Sequence, residues 1–175
     1  MFAEMILTAL LALGAENLLF AGGFGFSRTL RSAKRPGTSG RYALLITWFS
    51  LASALTGFWL DPLLPYGAAE NLRPAYFAAA AAGAYLVTAA LLRFLLPALY
   101  RRVSAILGPA AVNTVVLAMP YLLRNFSFGL PGAVGYALGT GAAFYLASLL
   151  LSGARTKCSN ADMPEAFRGL PATFL

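Results

Sequence analysis

The stretch "AENLLFAGGFGFSRTLRSAKR", residues 15–35, begins in an apolar run and ends in a cluster of cations. Glu16 and Asn17 lie in the middle of a region whose other residues suit the interior of a membrane. Three glycines follow within 22–25, ahead of the first arginine. A charge at bilayer depth is costly and glycine weakens a helix, so the stretch predicts a break in the first apolar span.

The composition indicates an integral membrane protein, so the lipid bilayer is an expected partner. The chain is 59% hydrophobic and 11% charged, with a mean hydropathy of +0.72, whereas soluble domains carry about 25% charged residues. The net charge of +7 does not indicate nucleic acid, because the cations occupy short clusters between apolar runs. No nucleic-acid partner is expected.

Five apolar runs approach or exceed the length that crosses a bilayer as a helix. They cover residues 2–27, 42–60, 75–99, 104–123 and 129–153. The predicted fold class is therefore an all-α integral membrane protein with about five transmembrane helices. Aromatic side chains near the ends of the spans, Tyr42 among them, are expected to anchor these helices at the membrane interface.

The cations are distributed unevenly between the two sides of the predicted bundle. Ten of the 13 lysines and arginines fall in the connectors 28–41 and 100–103 and in the tail after 154. The opposite side has only Arg73 and Arg124. By the positive-inside rule, the N-terminus lies outside and the C-terminus lies in the cytoplasm.

The fourth span carries the same kind of helix-breaking residues as the first. Gly108-Pro109, Asn113-Thr114 and Pro120 all occur within it. Proline lacks a helical hydrogen-bond donor and glycine weakens a helix, and irregular backbone at membrane depth must be covered by protein or line a cavity. The sequence therefore predicts broken first and fourth helices.

The two unusual spans cross the membrane in opposite directions, which is typical of an inverted three-helix repeat. On this interpretation residues 1–175 form a single membrane domain. The first repeat covers about 1–99 and an incomplete second repeat about 104–175.

Glu16 is expected to face the protein interior, because a charge in lipid costs at least about 2.5–3.5 kcal/mol. Together with Asn17 and Asn113 it would line an ion path or a polar site at the membrane midplane. A simpler alternative is a tilted or short first span that leaves Glu16 near a wet interface.

The chain has few residues suited to catalysis or metal binding. It has no histidine, and its single cysteine, Cys158, lies in the polar tail. We find no nucleophile–base pair, carboxylate pair or metal-ligand cluster, so neither catalytic residues nor a metal site are expected, and nothing supports an enzyme acting alone.

Three segments resemble the Rnf/Nqr family of small membrane subunits, closest to its RnfA/NqrE branch. They are "ENLLFAGGFGFSRTLRSAKR" (16–35), "GPAAVNTVVLA" (108–118) and "NADMPEAFRGLP" (160–171). The third is the most specific, and its spacing defines a cytoplasmic motif made of Asp162, Pro164, Phe167, Arg168 and Gly169.

The resemblance implies six helices in two inverted repeats, in the bacterial plasma (inner) membrane. The implied partner is an oppositely oriented homologous subunit, or a second copy of this chain, inside an electron-transport complex that moves sodium ions or protons. A stand-alone ion transporter or channel, or a non-redox assembly or structural protein, remains an alternative. Only six residues follow Gly169, about 9 Å of helix, so a C-terminal stub is expected where the family has a sixth helix.

The family's broken helices each supply a cysteine to an iron–sulfur cluster shared with the partner subunit. The resemblance places Ser27 and Thr114 at these two positions. Such clusters need thiolate ligands, for which hydroxyls are poor substitutes. No cofactor is therefore expected in this chain, although the family implies a shared cluster.

Overall fold

The structure is a computed structural model that describes residues 1–33, 36–64 and 71–157. Those residues form helices and no strand, which confirms the predicted all-α class. The helices are α1 (Phe2–Leu13), α2 (Phe26–Ala33), α3 (Pro36–Leu60), α4 (Arg73–Leu95), α5 (Pro97–Ala111), α6 (Thr114–Phe126) and α7 (Leu130–Lys157), with a short 3-10 turn at Asp61–Leu63. Cys158, the cytoplasmic motif with Asp162, Pro164, Phe167, Arg168 and Gly169, and the expected stub lie outside the described residues.

Among the described residues, three helices are long and apolar enough to cross a bilayer without interruption: α3, α4 and α7. Helices α5 and α6 meet at a bend of 47°, and together they have the length and composition of a fourth, broken span. The predicted first span contains α1, which has only 12 residues, about 18 Å of helix against a core of about 30 Å. Irregular backbone at 14–25 separates α1 from α2, so the predicted breaks in the first and fourth spans are both present.

One boundary differs from the prediction. The sequence places a connector at 100–103, but α5 begins at Pro97 and runs through Arg101 and Arg102. The junction with α4 lies at Leu96 instead, because proline at the first position of a helix starts a new helix and cannot continue the old one.

Helices α3 and α7 lie at the centre of the bundle. Helix α7 packs against α1, α2 and α3, while α3 also contacts α4, α5 and α6. The buried core includes Ile46 and Phe49 of α3 and Tyr136 and Phe144 of α7. By contrast, only 11% of the most apolar stretch of α4 is buried within the bundle, against 56% for the corresponding stretch of α7. Helix α4 is therefore a peripheral helix whose free surface suits lipid.

Small residues allow α7 to approach two neighbouring helices closely. A Cβ at Gly135 would collide with Met5 and Thr8 of α1, and one at Gly139 would come within 2.8 Å of the Ala9 Cα atom. A Cβ at Gly141 would collide with Thr47 of α3. The glycine spacing of α7 thus serves packing within this chain.

Candidate functional site

The first break is organised by Asn17. Its Oδ1 atom accepts the Leu19 N–H at 3.1 Å, while its Nδ2 donates to the Leu13 carbonyl at 3.0 Å. The side chain therefore ties the end of α1 to the turn that follows it. That turn leads to Gly23 and Gly25, whose φ angles of 66° and 71° lie in the left-handed region that glycine adopts without strain.

The second break is organised in a similar way by Asn113, the N-cap of α6. Its Oδ1 accepts the Val115 N–H at 3.1 Å. Both asparagines thus accept the backbone N–H of the residue two positions later in the chain. At Asn113 this bond satisfies a donor at the start of α6. This shared local geometry is the clearest structural similarity between the two breaks.

Two buried tyrosines hold backbone carbonyls at the breaks. The Tyr42 hydroxyl donates to the Pro109 carbonyl at 2.9 Å, and the Tyr136 hydroxyl donates to the Glu16 carbonyl at 3.2 Å. Asn113 is the N-cap of α6. The Pro109 carbonyl therefore lies where the backbone hydrogen bonds of α5 come to an end. The prediction of Tyr42 as an interfacial anchor is wrong: its side chain is buried in the core, because its hydroxyl has a partner there.

The two breaks meet directly. The Gly25 N–H donates to the Thr114 Oγ1 at 2.7 Å, across 89 residues of sequence. A Cβ at position 25 would lie 2.8 Å from both Asn113 Oδ1 and Val115 Cγ2. Only glycine permits both this approach and the positive φ, so Gly25 is the residue that allows the contact.

The structure separates the sequence-predicted residues into two groups. Asn17 and Asn113 are buried, at 6% and 1% exposure. Glu16, Ser27 and Thr114 are exposed at the surface of this chain. Residues 14–16 turn outward after α1, so the described part of this chain does not cover Glu16, and its interior position stays a prediction.

The side chains of Ser27 and Thr114 are not suitable ligands for an iron–sulfur cluster. Both are hydroxyls, and the Thr114 oxygen already accepts the Gly25 N–H. Within the ranges that the structure describes, no three histidine, cysteine, aspartate or glutamate side chains group together as a metal site. Iron–sulfur clusters need thiolates, which neither break supplies.

Sequence reasoning identified both asparagines but missed the specific role of Gly25 and the roles of the two tyrosines. The sequence has three glycines within 22–25, and nothing in it shows that Gly25 is the one that contacts the start of α6. Tyr136 lies inside a long apolar helix and carries no local signal. Their partners are distant in sequence, so only the packing of the helices shows them.

These features define a class: an all-helical, multi-pass membrane protein with two interrupted spans whose breaks are in contact. The chain belongs to the Rnf-Nqr family, because the family model described as "Rnf-Nqr subunit, membrane protein" matches residues 5–174. The family resemblance inferred from the three motifs is thereby confirmed.

Individual relatives agree with this assignment and lie in the RnfA/NqrE branch that the motifs indicate. One, from the ion-translocating oxidoreductase complex of Aromatoleum aromaticum, is 28% identical over 177 residues, covering 99% of this chain and 89% of the relative. Another, from the Na(+)-translocating NADH-quinone reductase of Pseudoalteromonas translucida, is 37% identical over 81 residues, covering 45% and 39%. A third, from the proton-translocating ferredoxin:NAD(+) oxidoreductase complex of Clostridium ljungdahlii, is 35% identical over 79 residues, covering 45% and 41%. The matched part of the chain thus spans well under half the length of the last two relatives.

Proposed function

We propose that this chain is a membrane subunit of an ion-translocating electron-transport complex of the Rnf/Nqr type, and that it holds no iron–sulfur cluster on cysteines of its own. The observation that carries the proposal is the contact between the two helix breaks, with Thr114 bonded to Gly25 where the resemblance expects a thiolate. The relatives, all subunits of ion-translocating oxidoreductases, indicate the kind of complex.

A second membrane subunit covers the breaks in this proposal. Glu16, Phe20, Phe24, Val112 and Thr114 are all exposed there. Irregular backbone and a carboxylate cannot face hydrocarbon, because lipid offers no hydrogen-bond partners. The partner is a homologous subunit of opposite orientation, or a second copy of this chain, and it would return Glu16 to a protein interior.

The complex lies in the bacterial plasma membrane, with the N-terminus outside and the C-terminus in the cytoplasm. The distribution of lysine and arginine supports this orientation. Helix α2 carries Arg28 and Arg31, and the first turns of α5 carry Arg101 and Arg102, so these four cations lie at one end of the bundle.

An ion path at Glu16, Asn17 and Asn113 is part of the proposal. The two asparagines use their Oδ1 atoms as backbone caps. Among the described residues the buried Asn113 Nδ2 makes no hydrogen bond of good geometry, although the side chain lies near the Tyr42 hydroxyl, so this donor could meet a water molecule. A stand-alone transporter is the second candidate, and this buried donor in a broken helix is the observation that favours it.

Purification of the tagged chain from its native membrane under mild detergent tests the first proposal. We expect flavin- or iron–sulfur-bearing subunits to co-purify, with no two-iron paramagnetic signal from the separately purified chain. Isolation of the chain alone, together with ion flux in liposomes that Glu16→Gln abolishes, would instead establish the stand-alone transporter. Isolation alone without flux would establish a structural or assembly protein.

A further inference from the structure

A cavity of about 540 Å³ opens between α2, α3 and α5 at the end of the bundle that carries Arg28, Arg31, Arg101 and Arg102. We call this the basic end. The cavity is lined on one side by polar groups and on the other by apolar ones. Its lining residues are Arg28, Arg31, Ser32, Thr38, Tyr42, Ala105, Ile106 and Pro109.

Two guanidinium groups face the same cavity. Arg28 and Arg31 are three residues apart on α2, so they lie on one face of that helix. Across residues 1–33, 36–64 and 71–157, the one ion pair joins Arg73 to Asp61 near the opposite end of the bundle. Neither Arg28 nor Arg31 has a carboxylate partner within those ranges, so the described residues leave the positive charge of both guanidinium groups unpaired.

Most of the hydroxyl groups nearby already have partners. The Tyr42 hydroxyl donates to the Pro109 carbonyl, and Ser32 is hydrogen-bonded to Ser39. The guanidinium groups are therefore the principal donors available to a ligand. The opposite wall, with Ala105 and Ile106, is apolar and would suit hydrocarbon or glycerol.

We propose that this cavity binds a phosphate group between Arg28 and Arg31. The planar fork of arginine matches the oxygens of a phosphate and can bind two of them at once. Basic pockets between transmembrane helices commonly take anionic headgroups. The apolar wall formed by Ala105 and Ile106 favours an anionic phospholipid over free phosphate. The site does not depend on the proposed redox function.

Lipid retention measured by native mass spectrometry tests the proposal. The full chain is reconstituted in nanodiscs containing phosphatidylglycerol and phosphatidylcholine, and the variant Arg28→Gln/Arg31→Gln is compared with Arg101→Gln/Arg102→Gln. Both variants lose two charges at the basic end, but Arg101 and Arg102 do not line the cavity. We expect phosphatidylglycerol retention to fall about tenfold or more in the first variant and to stay within about twofold of wild type in the second.

A third variant keeps both charges and fills the cavity. Ile106→Trp is expected to reduce phosphatidylglycerol retention, with helicity by circular dichroism as the folding control. Equal loss in both double variants, unchanged retention in Ile106→Trp, or no preference over phosphatidylcholine would each overturn the proposal.

Inorganic phosphate distinguishes the two sources of the ligand. Failure of millimolar phosphate to displace phosphatidylglycerol supports the lipid headgroup. Displacement of the lipid, together with Arg28- and Arg31-dependent phosphate binding in lipid-free detergent, assigns the same site to free phosphate. Binding of neither ligand above the level of Arg28→Gln/Arg31→Gln would refute a phosphate site.

Discussion

The hydrogen bond from the Gly25 N–H to the Thr114 Oγ1 is the smallest unit on which the centre of this protein depends. It joins the end of one irregular segment to the first residue of α6 at 2.7 Å. Gly25 is buried, so its N–H has little access to other partners. A buried donor left unpaired costs about 1–3 kcal/mol.

Thr114→Val tests this bond. We expect a loss of about 1–3 kcal/mol in unfolding free energy, because valine keeps the shape of threonine but cannot accept the Gly25 N–H. Unfolding in mixed detergent micelles measures the loss. Thr114→Ser keeps the hydroxyl and should be close to wild type, whereas equal stability of the valine variant and wild type would contradict the role of the bond.

Gly25 and Gly23 provide a matched pair for separating backbone strain from steric collision. Both have positive φ, but a Cβ at Gly23 meets nothing within 4 Å, while one at Gly25 meets Asn113 and Val115 at 2.8 Å. We expect Gly23→Ala to cost about 1–2 kcal/mol from left-handed strain alone. Gly25→Ala should cost about 1–3 kcal/mol more from overpacking. The same unfolding assay measures both, and equal costs would show that the breaks do not need this close contact.

At the scale of the elements, α7 depends on residues without side chains. Gly139 packs against the backbone of Ala9 in α1, whereas a Cβ at Gly153 on the same helix would meet open space. The two glycines therefore differ in the reason for their presence. The first permits helix contact, while the second only weakens the helix.

Substitution of these two glycines should shift stability in opposite directions. Gly139→Ala is expected to destabilise by about 1–3 kcal/mol, because α1 must move away from α7. Gly153→Ala should be neutral or stabilising by up to about 1 kcal/mol through helix propensity. Thermal unfolding in detergent, followed by circular dichroism, compares them. A stable Gly139→Ala protein would mean that α1 is not held against α7 as the structure shows.

At the scale of the whole molecule, the exposed surfaces are of two kinds. Helix α4 presents large apolar side chains such as Leu86, at 64% exposure, which suit lipid. The breaks present Val112, at 69% exposure, beside irregular backbone and Glu16. Only the first kind of surface can face hydrocarbon without unpaired backbone groups.

Photo-cross-linking distinguishes these two surfaces. In a Cys158→Ser background, a benzophenone-maleimide placed at Val112→Cys should cross-link to a protein subunit in native membranes. The same probe at Leu86→Cys should label lipid. Protein cross-links at Leu86 but none at Val112 would contradict the proposed subunit interface.

Much of the architecture could be predicted because it depends on local chemistry. Apolar runs of sufficient length predicted the spans, and the polar and helix-breaking residues around Asn17 and Asn113 predicted both interruptions. Predictions failed where one residue type serves two purposes. Pro97 could end one helix or begin the next, and Tyr42 could anchor at an interface or bond a carbonyl in the core.

The sequence by itself determined that the chain is a helical membrane protein, which spans are interrupted, and that no cysteine occurs in either break, since these follow from residue type and order. Tertiary structure alone decided that Gly25 meets Thr114, that Glu16 is exposed on the single chain, and that Arg28 and Arg31 share a cavity. The physical reason is distance along the chain: these relations join residues on different helices, and packing, not local preference, sets how those helices approach one another.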